Sequence, residues 1–327
     1  MNHLLHMVAV AIILSTFFSA SFAESKEIDT LEPIIFQPDW FPNAQFSGFF
    51  WAKEDGIFKE HGLEVNFEKF AFGSSFIGAV SSGQAAFGTS EAYILMEAVA
   101  RGEPLVALGA VLDVSPAGYI FLKDSGIETG ADLKDKTVGV HNYAEALLPF
   151  FVNKAGLAAD SVVATTVQHN IETLLDGDVD LHQGYAIDEM IRLKAKTSRE
   201  VEILLFEDLG MPMYSMVIYS SREFVQKNPD LVEAFLQASA KGWERAMRSP
   251  AVAAMIVNGP YADSEVDNEI IEDQAIALKP FVNIDGRATL SMSRAKWEAM
   301  QAAFLESGMI DAPVNLDAML YQPNTSP

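Results

Sequence analysis

Residues 34–67 constrain the fold most. They open on a short apolar run, Ile34-Ile35-Phe36, and break at the polar segment Asp39-Trp40-Phe41-Pro42-Asn43. Apolar positions then recur at helical spacing through Phe46, Phe49, Phe50, Ala52 and Ile57, until Glu60-His61-Gly62 stops the pattern. A second apolar run, Leu63-Glu64-Val65-Asn66-Phe67, follows. Strand, loop, helix, strand is the crossover that a parallel pair requires. In open α/β sheets a ligand lies beyond the carboxyl ends of the strands. The loop 37–46 falls there and carries an indole, an amide and a carboxylate: Trp40, Asn43 and Asp39.

The same alternation continues. Phe70 to Ser75 form a glycine and hydroxyl turn before a helix over 76–81, so Gly73, Ser74 and Ser75 either offer amides and hydroxyls to a ligand or simply cap that helix. A short strand over 85–88 runs into Thr89-Ser90-Glu91 and a helix over 92–100. Glu91 either receives amino groups of a ligand or is a first-turn acid favoured by the helix dipole. Strands are predicted over 105–111, 118–122, 137–140, 162–167, 179–181 and 201–206, with Gln183-Gly184-Tyr185 read as a loop. Asn142 and Tyr143 follow one strand end, and Tyr185 and Asp188 another. A return strand is expected within 213–219, after which the chain is largely helical, over 229–247, 250–257, 266–276 and 293–307.

Two αβ sandwich lobes follow, the second inserted into the first. Residues 24–116 and 217–327 are assigned to the first lobe and 117–216 to the second, with the strand-end loops of both facing a central cleft. Such a pair of lobes traps a solute by closing on it. At 327 residues the chain is too long for one small core.

The formal charge of −23 argues against nucleic acid and against anionic membrane surfaces. Residues 1–23 read as a cleaved secretory signal: an apolar core from Met7 to Phe18 precedes small residues at Ser21 and Ala23. The chain has no cysteine, which excludes disulfides, thiolate metal sites and a lipid anchor on a cysteine after the signal. A monomeric protein in a bacterial periplasm is therefore expected. His61, His141, His169 and His182 have no metal-ligand spacing, and no phosphate-loop, dinucleotide or serine-nucleophile motif occurs, so neither a catalytic residue nor a metal site is assigned. Trp40 is the leading site candidate, because an indole at a cleft rim can stack on a flat heteroaromatic ring.

At several stretches the chain resembles a known family. DWFPN followed by WAKEDGIFKEHGLEV, ARGEPLVALGAVLDVSPAGYIFLKDSGI, LKDKTVGV, LLDGDVD and REFVQKNPDLVEAFLQA are similar to the substrate-binding proteins of ABC importers for thiamine-pyrimidine precursors. They are also similar to the related fungal pyrimidine synthase, which uses pyridoxal phosphate. The resemblance spans about residues 34–260. It implies a bilobal periplasmic-binding-protein fold of type II, a small-molecule ligand, ABC permease subunits as partners and no cofactor.

It also implies where the synthase chemistry is missing. The lysine that holds the cofactor in the synthase falls at a position matching Ser90, its reacting histidine near Ile94, and its cysteine cluster at Met211 to Ser215. Without the lysine no Schiff base to pyridoxal phosphate forms. Pyrimidine-precursor binders often carry histidine where this chain has Phe46, which leaves open a flavin-like ring or an alkyl sulfonate as ligand. A receptor for a membrane signalling protein remains the other binding role. On the importer reading, Trp40 stacks on the ring and Asp39 and Asn43 bond its edge. Phe46, Gly73, Ser74, Ser75, Thr89, Ser90 and Glu91 complete the first wall. Asn142, Tyr143, Tyr185 and Asp188 close from the second lobe.

Overall fold

The computed structural model describes residues 31–322, apart from 72, 142–144, 168–169, 264–267 and 283–289. Five strands form the first sheet: β1 (Glu32–Gln37), β2 (Leu63–Phe67), β3 (Phe87–Ser90), β4 (Leu105–Leu112) and β10 (Ser215–Ser221). Five more form the second: β5 (Ala117–Leu122), β6 (Thr137–Val140), β7 (Val163–Thr166), β8 (Leu181–Tyr185) and β9 (Val201–Leu205). The orders are β2-β1-β3-β10-β4 and β7-β6-β8-β5-β9.

The opening unit behaves as its pattern demands. β1 pairs in parallel with β2, Ile34 opposite Val65, and with β3, Phe36 opposite Phe87. The helix Ser47–Glu54 supplies the crossover and buries Phe49 and Phe50. Each sheet then receives one strand against the grain. β10 runs antiparallel between β3 and β4, and β5 runs antiparallel between β8 and β9. The chain therefore crosses between the sheets twice, after β4 and before β10, and each sheet is mixed. The result is two αβ sandwiches side by side.

Sequence boundaries shift at two strands that matter for the site. β3 lies two residues later than the 85–88 expected, so Thr89 and Ser90 are strand residues. β8 extends to Tyr185, so Gln183-Gly184-Tyr185 is strand and not loop; its backbone pairs fully with β5, Ala117 opposite Tyr185. Gly184 is required there, because a Cβ would lie 2.8 Å from both Glu189 Cβ and Ile120 Cδ1.

The first lobe is held by rings gathered on one long helix, Pro229–Arg248. Phe235 from that helix stacks on Phe87 at 4.1 Å and on Phe58 at 5.4 Å, with Phe36 at 5.8 Å. Each of these rings is essentially sealed from solvent. Two glycines let the helix sit close enough. A Cβ at Gly48 would meet the Trp243 ring at 2.3 Å, and one at Gly242 would meet the Gly48 carbonyl oxygen at 2.1 Å. Backbone meets backbone at this point, so no side chain can yield. Gly242→Ala is expected to cost about 1–3 kcal/mol through overpacking, read as a lower midpoint in urea unfolding with an unchanged slope.

Candidate ligand-binding site

A cavity of about 400 Å³ opens between the carboxyl ends of the two sheets. The first lobe contributes Asp39, Trp40, Gln45, Phe70, Gly73, Ser74, Phe76, Glu91, Tyr93, Ile94 and Glu97. The second contributes His141, Gln183, Gly184, Tyr185, Asp188 and Glu189. The walls come from the segments that a doubly layered sheet presents at its strand ends: the loop after β1, the turn before the helix Phe76–Ser81, the junction of β3 with the helix Ala92–Ala100, and the end of β8.

Trp40 is half-buried, with Phe70 tilted beside it at 5.4 Å and Phe41 edge-on at 5.8 Å. Its side chain also hydrogen-bonds Asp188 across the cavity. Asp188 further accepts from Gln274 Nε2 at 2.9 Å and from Arg192 Nε at 3.1 Å. Burial, with Glu189 alongside, pushes the Asp188 carboxyl up to about 7. Glu189 folds back under β8, where its Oε2 accepts the Tyr185 backbone N–H at 2.8 Å.

Asp39 and Glu91 lie on the opposite wall. Asp39 accepts from the Thr89 hydroxyl at 2.6 Å, and burial raises its carboxyl above the ordinary range. Glu91 accepts from the Ser215 hydroxyl, from the Ser115 hydroxyl at 3.4 Å and from the Tyr185 side chain. Burial, assisted by the nearby Asp39 charge, pushes Glu91 up to about 7 against those hydroxyl donors.

Of the residues singled out from sequence, Asp39, Trp40, Gly73, Ser74, Glu91, Tyr185 and Asp188 come together around the cavity. Five others stand elsewhere. Asn43 caps a short 3-10 turn, its Oδ1 accepting the Gln45 N–H at 2.9 Å, and it is buried by that role. Phe46 packs in the core against Phe50. Ser75 is the N-cap of the helix Phe76–Ser81 and accepts the Gly78 N–H at 3.0 Å. Thr89 is sealed behind Asp39, and Ser90 turns its hydroxyl to the Glu91 carbonyl at 3.1 Å. Asn142 and Tyr143 lie outside the described residues. Phe70, Phe76, Tyr93 and Gln183 were missed. Phe76 and Tyr93 look like ordinary helix-face core residues, Phe70 sits in the expected turn, and Gln183 reads as loop, so only the strand order brings them to the rim. Gln45 and Glu97 carried a faint signal, as polar residues within two turns of the cap residues Asn43 and Glu91, which were already candidates. Among the described residues no group of three or more His, Asp or Glu is arranged to hold a metal ion.

Two mixed sheets with a ligand-sized cavity between their strand ends define the bilobal periplasmic-binding-protein fold. The chain belongs to the NMT1/THI5-like family, which it matches over residues 43–253. It is 25% identical over 287 residues to the formylaminopyrimidine-binding protein of Halalkalibacterium halodurans, covering 85% of this chain and 87% of that one. It is 26% identical over 256 residues to the 4-amino-5-hydroxymethyl-2-methylpyrimidine phosphate synthase of Aspergillus parasiticus, covering 74% of this chain and 75% of that one. The crystal structure of the periplasmic aliphatic sulphonate binding protein SsuA from Escherichia coli superposes with a TM-score of 0.68 at 17% identity, covering 91% of this chain and 94% of that one. At that identity the superposition speaks for the fold alone.

The Glu91 geometry fixes a pH dependence. Folded, the carboxyl keeps its proton up to about 7; unfolded, only to its ordinary 4.5. Between those values the folded chain binds more protons, so stability falls as pH rises through the window. The loss amounts to roughly 3 kcal/mol above pH 7. Glu91→Gln removes the charge and keeps the shape. In urea unfolding its stability relative to the unaltered chain is expected to rise by up to that amount between pH 5 and pH 8.

Proposed function

We propose that this protein is the solute-capturing component of an ABC importer, working in a periplasm as a monomer after removal of residues 1–23. Its two lobes close on a small heteroaromatic ring without altering it, and the ring is a pyrimidine precursor of thiamine. The observation that carries the reading is Trp40. Its indole forms one face of the cavity while its side chain bonds Asp188 on the other lobe, so a flat guest lying on the indole touches both halves at once. Aromatic partners stacked in this way add about 0.5–1.5 kcal/mol beyond the area they bury. The polar groups around it suit amino groups on the guest: Asp39, Glu91 and Asp188 are acceptors when ionised.

The charge of the walls speaks against the sulfonate alternative. No lysine or arginine among the described residues lines the cavity, and a permanent anion there faces five carboxyl groups, of which Asp39 and Glu91 have no lysine or arginine partner among the described residues. The same wall does not suit pyridoxal phosphate. That cofactor needs a lysine amine for its aldehyde and positive or N–H-rich groups for its phosphate. Ser90, the position matching the synthase lysine, does not reach the cavity, and Met211 and Met213 at the cysteine positions are sealed in the core. Support for binding over synthesis therefore comes from both the residue types and their placement.

Native mass spectrometry of protein taken from the periplasm without refolding is expected to show a retained small heterocycle. Trp40→Ala is expected to weaken calorimetric binding of 4-amino-5-hydroxymethyl-2-methylpyrimidine at least tenfold while leaving the circular dichroism spectrum unchanged. Unaltered affinity in that variant removes Trp40 from the site.

A further inference from the structure

The wall of the cavity holds five carboxyl groups, and three of them lie beside an arginine. Arg192 lies 3.1 Å from Asp188 and 3.4 Å from Glu189. Glu97 pairs with Arg101 one helical turn on. Asp39 and Glu91 differ. The groups facing Asp39 are the Thr89 hydroxyl, Glu91 and the Tyr219 phenol. Those facing Glu91 are the hydroxyls of Ser115, Ser215 and Tyr185, and Asp39. Hydroxyls can solvate a carboxylate, but they bring no charge. His141 is the one basic side chain of the wall among the described residues.

The cavity does not depend on these acids for its existence, since Trp40, Phe70, Phe76 and Tyr93 give it ring faces. Two carboxyl groups within electrostatic reach of each other, buried beside those rings and with no lysine or arginine paired to them among the described residues, are costly to ionise together. A guest that brings positive charge removes that cost. The ring faces favour such a guest as well, because a cation over an aromatic ring gains about 0.5–2 kcal/mol.

Resting on the reading of this cavity as the solute site, we propose that it takes its flat nitrogen heterocycle as a cation, with the ring charge lodged between Asp39 and Glu91. A ring that is neutral in solution becomes that cation by one proton transfer. The proton leaves the Glu91 carboxyl and joins a ring nitrogen, leaving a carboxylate against a protonated ring. No other bond changes; where Glu91 is already ionised, as it largely is at pH 8, the ring takes its proton from solvent and the same ion pair results. The raised Glu91 carboxyl supports this step, because it still holds a proton near neutral pH. Selectivity follows from the same pair: a neutral isostere without a basic nitrogen leaves the pair uncompensated, and an anion adds repulsion.

The test uses the full mature chain and three probes: 4-amino-5-hydroxymethyl-2-methylpyrimidine, the permanently cationic 1-methylnicotinamide, and ethanesulfonate. Affinities are read by calorimetry, and the state of the pyrimidine by its ultraviolet spectrum at pH 8, where the free ring is neutral. The expected result is that the pyrimidine binds and its bound spectrum is that of the protonated ring. Glu91→Gln, checked for folding by urea, is expected to abolish that spectral change and to lower affinity at least tenfold. The spectral result needs only the unaltered chain, so it stands even if the variant does not fold. A bound pyrimidine with a neutral spectrum overturns the cation inference and leaves the pyrimidine assignment intact. Binding of 1-methylnicotinamide without the pyrimidine supports the inference and overturns that assignment. Preference for ethanesulfonate, or binding of neither ring, overturns both.

Discussion

Glu91 accepts hydroxyl hydrogen bonds from Ser115, at the first crossing between the sheets, from Ser215, at the second, and from Tyr185 on the far sheet. It stands at the junction of β3 with the helix Ala92–Ala100, where the first sheet delivers its strand end to the cavity. One carboxyl group thus touches both crossings and both lobes. A buried carboxyl costs free energy unless it is hydrogen-bonded, so each of those three hydroxyls is held in place by the same group that it solvates. Ser115 also accepts the Ala117 N–H at 3.3 Å at the start of β5, which fixes how the chain enters the second sheet. The geometry of the crossings and the polarity of the site are one arrangement.

A second cross-cleft contact lies opposite it. Asp188 gathers Trp40 and Gln274 from the first lobe and Arg192 from its own. Unlike Glu91 it has a cation within reach. The two acids therefore differ: Asp188 is compensated from within the protein and bonds the lobes to each other, while among the described residues Glu91 and its neighbour Asp39 have only hydroxyls and each other around them. Farther from the cavity, Lys296 spans the crossings. Its ammonium donates to the Asp113 carbonyl and lies 4.7 Å from the centre of the Tyr214 ring, whose hydroxyl in turn accepts the Ser293 N–H at 2.7 Å. Both crossings thus lean on the helix Arg294–Glu306 of the first lobe. Connections this short and anchored would bend as a hinge rather than act as a free tether.

Much of this was legible in the sequence because the strands are short apolar runs with clear breaks. β2 spans the predicted residues, and the helix Ala92–Ala100 falls where its apolar spacing and its terminal Arg101-Gly102 put it. The site was half legible. Trp40, Asp39, Glu91 and Asp188 are conspicuous because polar or amphipathic side chains at strand ends have little reason to be there in a plain core. Asn43 and Ser75 misled for a physical reason: a short polar side chain next to a helix start is equally suited to a ligand and to an orphan backbone N–H, and the local bond won both times. Phe46 misled because helical spacing does not reveal which stripe faces the core; here it points inward, and Gln45 beside it takes the rim. Gln183 and Gly184 were hidden by a boundary error, since a glycine in a strand reads as a break when a side chain from elsewhere needs its space.

The relatives of this chain include synthases as well as a binding protein, so fold cannot separate the two roles and residues must. β3 shows how little has to differ. Side chains alternate along a strand, and here Thr89 and Glu91 turn toward Asp39 and the cavity while Ser90 turns to its neighbour's carbonyl. A lysine at position 90 in this chain would stand on the face away from the cavity, and its long stem would enter a space that is now sealed. An aldehyde cofactor would find carboxyl groups where it needs an amine. The acids that make the wall unfit for that chemistry are the ones on which the proposed reading rests: an ion pair with a guest would form and break without any covalent step.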